Sequence, residues 1–213
     1  MKTVVLGATG MAGSRIAAEA VRRGDEVVAV SRSGAAPVDS PLLTPVAADA
    51  GSVRELAEVV KGADVVASAL APARDGSDPR GPLTALYDAV LDGVRAGGVR
   101  RMVVVGGAGS LQVDKDTLLK DTPAVPEPIK PEAEALNDVL AKLREVDDLE
   151  WTYITPAAAF GPGKRTGNFR IGGDAVLTDS EGNSRISAED YAIAFVDEME
   201  NAEHPNTRIC VAY

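Results

Sequence analysis

The sequence predicts an α/β fold in which a doubly wound parallel sheet carries helices on both faces. Six short apolar runs alternate with segments of helical periodicity, as in chains built from repeated βα units. The runs are continuous rather than alternating, which is typical of strands buried on both faces. The first run also leads directly into a glycine-rich turn that begins a helix.

The predicted elements alternate along the chain up to the sixth strand. The strand Lys2–Leu6 ends at Gly7, and the helix from Met11 to Arg23 ends at Gly24. No clear helix separates the second and third strands. The remaining strands are Glu26–Val30, Thr44–Ala48, Asp64–Ala69, Arg101–Val105 and Glu150–Thr155, and the remaining helices are Val53–Val60, Leu83–Ala96 and Pro131–Glu145.

The pattern changes after Pro156. Two short strands around Glu181-Gly182-Asn183 are predicted to form a turn-linked pair. A capping-box-like Ser187 begins a helix to about Asn201, and Thr207–Ala212 is a last strand. We therefore expect one domain over residues 1–213, with 157–213 forming a small lobe. Two loops, 106–130 and 157–173, are long enough to be functional, or else mobile surface.

Composition excludes several kinds of function. With 32 acidic and 22 basic residues, the chain has a formal net charge of −10. Neither nucleic acid nor an anionic membrane surface is expected as a partner of so acidic a chain. One His and one Cys are too few for a thiolate or imidazole metal site or for a disulfide framework. Chemistry is therefore expected to come from a bound cofactor.

The N-terminal segment is not expected to be a signal peptide. Its apolar run stops at Leu6, and Arg15 and Glu19 interrupt the residues that follow. No stretch approaches the ~18 apolar residues of a membrane span. A single Cys fits a reducing compartment, so the sequence predicts a cytoplasmic protein.

The turn after the first strand reads Gly7-Ala8-Thr9-Gly10-Met11-Ala12-Gly13. Gly7 permits a tight turn, Gly10 lets backbone N–H groups approach a pyrophosphate, and Gly13 allows close packing of helix on strand. The helix N-terminus adds positive partial charge. This context predicts a dinucleotide site to which Thr9, Met11 and Ala12 also contribute; a glycine turn without a phosphate ligand is the alternative.

These residues resemble the short-chain dehydrogenase/reductase superfamily. Gly7-Ala8-Thr9-Gly10 is similar to its atypical, extended-like members, the NAD(P)H-binding, NmrA-like and flavin-reductase-like group. The segments Trp151–Pro156, Gly161–Gly167 and Ile186–Ala192 resemble the same group, so the resemblance covers nearly the whole chain. It implies a Rossmann-type fold and a nicotinamide cofactor.

The end of the second strand bears on the choice of cofactor. An acidic residue there would bind the ribose 2′-hydroxyl of NAD. This chain has Ser31-Arg32-Ser33 instead, and a guanidinium with two hydroxyls suits a 2′-phosphate. NADP(H) is therefore expected in preference to NAD(H). An exposed Arg32 without a ligand is the alternative.

The other strand ends supply further candidate cofactor contacts. The resemblance places Asp49 and Ala50 at the adenine, although Asp49 could be an ordinary helix-capping residue. Ala69, Leu70 and Ala71 follow the fourth strand and should line the ribose and diphosphate. Gly106 follows the fifth strand, and the resemblance places Thr155, Pro156 and Ala157 beside the nicotinamide. Arg74 and Arg80 are candidates for anionic ligand groups, or else solvated surface.

The proton relay of the superfamily is missing. In the superfamily, a Ser after the fifth strand polarises a substrate carbonyl and a Tyr-x-x-x-Lys pair supplies the proton. Ser110 occupies the first position, but no Tyr of this chain has a Lys four residues on. General acid help is typically worth ~10²–10⁴-fold, so carbonyl reduction is disfavoured. A flavin or quinone needs less help because it delocalises the incoming charge.

Ser110 is then expected to hydrogen-bond the hydride acceptor, and Lys130 to stabilise negative charge on it. The alternatives are a loop hydroxyl and a surface ammonium group. Lys164, Arg165 and Arg170 form a basic cluster that would attract an anionic acceptor, unless the loop is merely solvated. His204 and Cys210 are expected to be a surface histidine and an inert buried thiol.

Three hypotheses follow. The first is an NADPH-dependent reductase of a flavin, quinone or similar small-molecule hydride acceptor. The second is a non-catalytic sensor of NADP(H), which would require a protein partner. The third is a sugar-nucleotide epimerase or dehydratase, against which the missing Tyr and the short C-terminal part both argue.

Overall fold

One large sheet organises the chain, which the computed structural model describes for residues 1–73 and 75–213. Arg74, a candidate anion contact, lies outside the described residues. The strands are β1 Lys2–Leu6, β2 Glu26–Ser31, β3 Leu43–Ala47, β4 Val65–Ser68, β5 Arg101–Val105, β6 Gln112–Asp114, β7 Thr117–Leu118, β8 Glu150–Pro156, β9 Ala159–Gly161, β10 Arg170–Gly172, β11 Arg185–Ser187 and β12 Thr207–Ala212. The helices are α1 Met11–Arg22, α2 Val53–Val60, α3 Arg80–Ala96, α4 Lys130–Leu143 and α5 Ala188–Asn201.

The eight strands of this sheet follow the order β10-β12-β8-β5-β4-β1-β2-β3. All neighbours are parallel except β10, which pairs antiparallel with β12 at one edge. From β1 the chain moves outward to β2 and β3, then returns to β4 on the other side of β1. This reversal creates a crevice at the carboxyl ends of β1 and β4. The predicted α/β class and Rossmann-type topology are confirmed.

Two layers of helices cover the sheet. Helices α1 and α5 pack together on one face, where Ile16, Ala20, Tyr191 and Phe195 are fully buried or nearly so. Helices α2, α3 and α4 cover the other face with residues such as Leu56, Tyr87 and Leu140. As predicted, no helix lies between β2 and β3 in this fully described part of the chain.

The C-terminal part departs from one expectation. The turn-linked strand pair predicted around Glu181-Gly182-Asn183 is wrong, because β11 pairs in parallel with the distant β9. The side chain of Asp179 closes the turn instead, accepting hydrogen bonds from the backbone N–H groups of Glu181 and Asn183. Residues 157–213 also contribute β10 and β12 to the main sheet, so this part is built into the same core.

The two long loops contain structure of their own. Residues 106–130 include the β6–β7 hairpin and three short 3₁₀ turns, and residues 157–173 include β9 and β10. In the described part of the chain, no helix combines the length and apolarity that a membrane crossing requires.

A buried polar cluster lies near the amino ends of β5 and β8. Glu198 of α5 accepts hydrogen bonds from Arg101 Nη2 at 2.6 Å and Thr152 Oγ1 at 2.9 Å. Its other carboxylate oxygen lies 2.7 Å from His204 Nδ1. Burial works to raise the pKa of Glu198, but the hydrogen bonds from His204, Thr152 and Arg101 outweigh it and hold that pKa below its ordinary value. His204 therefore has a structural partner here.

Removing this carboxylate should destabilise the fold strongly. We expect Glu198→Ala to lower the free energy of unfolding by about 3–5 kcal/mol at neutral pH, because Arg101 would stay buried without its ion partner. Urea denaturation measures the loss. The exposed Glu203→Ala is the control and should change stability by no more than about 0.5 kcal/mol. Similar small losses in both variants would contradict this account.

The same pair predicts a dependence on pH. Since the folded-state pKa of Glu198 is lowered, its contribution is present above the ordinary glutamate pKa and disappears as the pH falls through the folded value. The difference in the free energy of unfolding between the wild type and Glu198→Ala should therefore shrink as the pH falls below the ordinary glutamate pKa.

Candidate cofactor site

Five strand ends meet at one edge of the sheet. Leu6 at the end of β1 pairs with Val30 of β2 and Ser68 of β4, and Val105 of β5 pairs with Ile154 of β8. The residues that follow these strands therefore share this edge. They include nearly all the predicted cofactor contacts: Gly7 to Gly13, Ser31 to Ser33, Ala69 to Ala71, Gly106 and Thr155 to Ala157.

The glycines of the first turn are required by close backbone approaches. Gly7 has φ +74°, and a Cβ built there would lie 2.6 Å from the carbonyl oxygen of Ala69. A Cβ on Gly13 would lie 2.2 Å from the carbonyl oxygen of Gly7. Gly10 is less confined, with its nearest neighbour at 3.3 Å. The turn thus presses against the end of β4 and against its own helix.

The N-terminus of α1 is open to an anion. Gly10 is its N-cap, no described side chain caps it, and no acidic residue lies in its first turn. Helices α3 and α4 also have no side-chain cap, whereas α2 and α5 are capped by the hydroxyls of Ser52 and Ser187. Uncapped N–H groups at the positive end of a helix dipole are suited to binding phosphate. Thr9, Gly10 and Met11 are exposed around this point, and Ala12 is half-buried.

The end of β2 presents a free guanidinium. Ser31 is buried, with its Oγ 3.4 Å from the Oγ of Ser33. Arg32 is exposed, and its side chain makes no hydrogen bond or ion pair with any described residue. An unpaired arginine at this strand end is available for a ligand phosphate.

The contacts predicted at the third and fourth strands differ in availability. Ala69 and Leu70 are half-buried directly beside Gly7, and Ala71 is exposed. Asp49 instead closes the turn before α2, where its Oδ1 accepts from the N–H of Gly51 at 2.9 Å. The half-buried Ala50 packs against the core on the α2 side.

Arg80, a candidate anion contact, has carboxylate partners. Its guanidinium is paired with Asp138 at 2.8 Å and with Glu134 at 3.4 Å on α4. These exposed ion pairs favour the alternative of a solvated surface residue.

The turn after β5 is held tightly against its neighbours. A Cβ on Gly106 would lie 2.3 Å from the ring of Tyr153, and a Cβ on Gly109 would lie 2.6 Å from the Cβ of Ala133. Ser110 is buried; its hydroxyl donates to the carbonyl of Gly107 at 3.2 Å and accepts from Arg208 at 3.2 Å. Gly106 thus has a packing role as well as its predicted cofactor role.

The two predicted catalytic side chains do not contact each other. Lys130 begins α4, and its ammonium group pairs with Glu127 at 2.5 Å. Ser110 is held by Gly107 and Arg208, as described above. The sequence could not reveal the buried Arg208, because it reaches Ser110 across a separation of 98 residues.

The end of β8 contains a buried hydroxyl without a partner. Thr155 is fully buried, and its Oγ1 makes no hydrogen bond with any described residue. Pro156 and Ala157 are buried beside it. Buried polar atoms are almost always satisfied in native proteins, so this atom is a candidate ligand contact. Together with the glycine cradle and the uncapped α1, it fits a bound dinucleotide.

No tyrosine hydroxyl is available as a proton relay. Tyr153 donates to the carbonyl of Leu136 and accepts from the N–H of Gly107. The other three hydroxyls are also engaged, by Ser68 for Tyr87, by the carbonyl of Ile154 for Tyr191, and by Ser187 and Asp190 for Tyr213. Burial raises the pKa of Tyr87 to about 12 and also raises the pKa values of Tyr153 and Tyr191.

Two of the three bases in the cluster expected in the 157–173 loop are engaged by protein groups. Arg165 binds the buried Glu19 of α1 through two hydrogen bonds of 3.0 and 2.8 Å. Arg170 donates to the backbone oxygens of Thr178 and Tyr213. Lys164 is exposed and has no side-chain partner among the described residues. Cys210 is buried and free, as expected for an inert thiol.

Comparison with known proteins identifies the family. Residues 7–202 match the family described as NAD(P)H-binding. The chain belongs to this NAD(P)H-binding family. The resemblance to atypical short-chain dehydrogenases/reductases is thereby confirmed, and a nicotinamide cofactor is supported.

Three solved structures are similar over the whole chain. A Burkholderia pseudomallei protein named "putative exported protein" is 45% identical, with a TM-score of 0.89 and full coverage of both chains. The "putative epimerase" of Bacteroides thetaiotaomicron is 40% identical, with a TM-score of 0.91 over 100% of this chain and 96% of that one. SP1627 of Streptococcus pneumoniae, a "putative NADH-flavin reductase", is 37% identical, with a TM-score of 0.84 over 100% and 99%. Because the name of the Burkholderia protein refers to export, the cytoplasmic location of this chain stays a prediction.

Adding a side chain to the Gly7–Gly13 turn tests its predicted role in binding the cofactor. We expect Gly13→Ala to weaken NAD(P)H binding at least about tenfold, because a Cβ would displace the Gly7 turn and such overpacking typically costs about 1–3 kcal/mol. Fluorescence titration with NADPH measures the affinity. Gly81→Ala in α3 is the matched control, since nothing lies within 4 Å of its Cβ position. Unchanged NADPH affinity in a folded Gly13→Ala protein would contradict the assignment.

Proposed function

We propose that this protein is an NADPH-dependent reductase that transfers hydride to a flavin, a quinone or a similar delocalised acceptor. The observation that carries the proposal is the engagement of all four tyrosine hydroxyls by protein groups. This occurs in a chain whose Gly7–Gly13 turn is suited to a nicotinamide dinucleotide. An acceptor that delocalises charge needs no such proton donor. The name of the Streptococcus structure points to the same class of acceptor.

The residues of the chain mainly bind and orient in this proposal. A bound nicotinamide supplies the hydride. The Gly7–Gly13 turn and the N-terminus of α1 hold the diphosphate, while Thr155, Pro156 and Ala157 shape the nicotinamide end. Ser110 and Lys130 are the proposed acceptor contacts. Each must exchange a present partner, Gly107 or Glu127, for the acceptor.

The preference for NADPH rests on Arg32. It is exposed and unpaired at the strand end where a carboxylate would select NADH. The name of the Streptococcus relative specifies NADH, so this part of the proposal differs from that name. The partner is a small molecule rather than nucleic acid or a membrane surface, as the net charge of −10 suggests.

A sensor of NADP(H) is the second candidate function. It is favoured by the engagement of both predicted catalytic side chains, Ser110 and Lys130, with other protein groups. It predicts cofactor binding without turnover and a specific protein partner. An epimerase, which the name of the Bacteroides structure suggests, has less support because the tyrosine hydroxyls are engaged.

Turnover with a panel of acceptors tests the reductase. We expect NADPH oxidation with flavins and quinones, and much slower oxidation with simple aldehydes and ketones, which require a general acid. The absorbance of NADPH follows the reaction. Tight NADPH binding without oxidation by any acceptor would exclude the reductase and favour the sensor.

Arg32→Asp tests the cofactor preference. We expect it to weaken NADPH binding by roughly 10- to 100-fold, from loss of charge-assisted hydrogen bonds and repulsion of the 2′-phosphate, and to affect NADH much less. Parallel titrations with both cofactors measure the change. Arg54→Asp, at an exposed position on α2, is the control for net charge. Equal losses for NADPH and NADH in Arg32→Asp would overturn the preference.

A further inference from the structure

A second open groove lies beyond the end of β8. It has a volume of about 730 Å³, within the range of ligand sites in proteins, about 300–1,000 Å³. Strands β9 and β11, residues 162–164, Thr166 and Tyr213 line it, and we name it the β9–β11 groove. It begins at Ala158, directly after the segment Thr155–Ala157 that belongs to the cofactor site.

The wall of the β9–β11 groove is fixed by two carboxylates of α5. Asp190 is fully buried and accepts hydrogen bonds from Thr166 N, Thr166 Oγ1 and Gly167 N at 2.6, 2.6 and 2.8 Å. Its Oδ2 also accepts from the Tyr213 hydroxyl at 2.9 Å. Glu189 accepts from Gly163 N at 2.7 Å. These hydrogen bonds therefore fix the loop that contains Gly163, Thr166 and Gly167.

The same network connects the groove to the cofactor turn. Arg15 of α1 donates to Glu189 at 2.6 Å and to the carbonyl of Met11 at 2.9 Å. Met11 lies in the glycine-rich turn, and Glu189 holds Gly163 in the groove wall. One guanidinium thus bridges the two sites.

The lining of the groove is basic and aromatic. It contains Lys164 and Arg185 but no Asp or Glu, in a chain with a net charge of −10. Lys164 has no side-chain partner among the described residues. Arg185 lies 5.9 Å from the ring centre of Tyr213, and its side chain is 65% exposed. Phe160 adds a second aromatic ring.

Arg185 has one distant carboxylate partner. Its Nε lies 3.9 Å from the Oδ2 of Asp179, at the limit of an ion pair. Because the side chain of Arg185 is 65% exposed, its guanidinium can also contact an anion in the groove, beside Lys164.

We propose that the β9–β11 groove binds a phosphorylated aromatic acceptor, with Lys164 and Arg185 recognising its phosphate. The role as acceptor rests on the proposed reductase function, whereas the recognition of phosphate rests on the charges and rings of the groove itself. With these two bases and the aromatic rings, the groove should bind a flat aromatic ligand more tightly when that ligand carries a phosphate.

Binding of riboflavin 5′-phosphate and of riboflavin to the full-length protein tests the proposal. Flavin fluorescence, measured without NADPH at low salt, gives both affinities, and inorganic phosphate serves as a competitor. We expect riboflavin 5′-phosphate to bind about tenfold more tightly, as charge-assisted contacts allow. The double variant Lys164→Ala with Arg185→Gln should remove this advantage and leave riboflavin binding unchanged.

The variants and outcomes separate this site from the reductase function. Both side chains are exposed, so the double variant should keep its fold, and Lys115→Gln outside the groove is the charge control. Equal binding of the two flavins, or an advantage that survives the double variant, would overturn the phosphate site. A phosphate advantage without NADPH oxidation would support the site and count against the reductase.

Discussion

The contact between the Gly7 turn and the end of β4 is the constraint on which the rest of the structure depends. Gly7 lies against the carbonyl oxygen of Ala69, and Gly13 lies against the carbonyl oxygen of Gly7. Neither glycine has space for a Cβ atom. This closeness places the first turn of α1 over the edge where the chain reverses direction. The crevice created by the reversal of strand order lies at this edge, together with the uncapped N-terminus of α1. A close backbone contact of the fold thus also forms part of the proposed cofactor site.

Polar groups that could act in chemistry are largely used to hold this arrangement. The Tyr153 hydroxyl joins the turn after β5 to α4 through Gly107 and Leu136. Arg208 of β12, which is separated from β5 by β8, donates a hydrogen bond to Ser110. Such buried hydroxyls are satisfied because leaving them unpaired would be costly. The Oγ1 of Thr155 is an exception, and it lies where the nicotinamide is proposed to bind.

Local sequence patterns predicted many strands and helices well, because strand burial and helix capping depend on residues that are close together in the sequence. The bounds of Lys2–Leu6, Val53–Val60 and Arg101–Val105 agree with the structure. The positions of the site residues followed from the strand ends. Their availability did not, since it depends on distant partners. Glu19 neutralises Arg165 across 146 residues, and β11 finds its partner in β9 rather than in a local hairpin.

Three exposed basic residues lie on opposite sides of the crevice. The sheet order places β2 on one side of the β1–β4 pair and β8 on the other. Arg32 follows β2 and Lys164 lies beyond β8, and neither has a side-chain partner among the described residues. Arg185, also beyond β8, has a long ion pair of 3.9 Å with Asp179. In an acidic chain, such positions attract phosphates selectively. The proposed cofactor 2′-phosphate and the proposed acceptor phosphate would therefore bind on opposite sides of the β1–β4 pair.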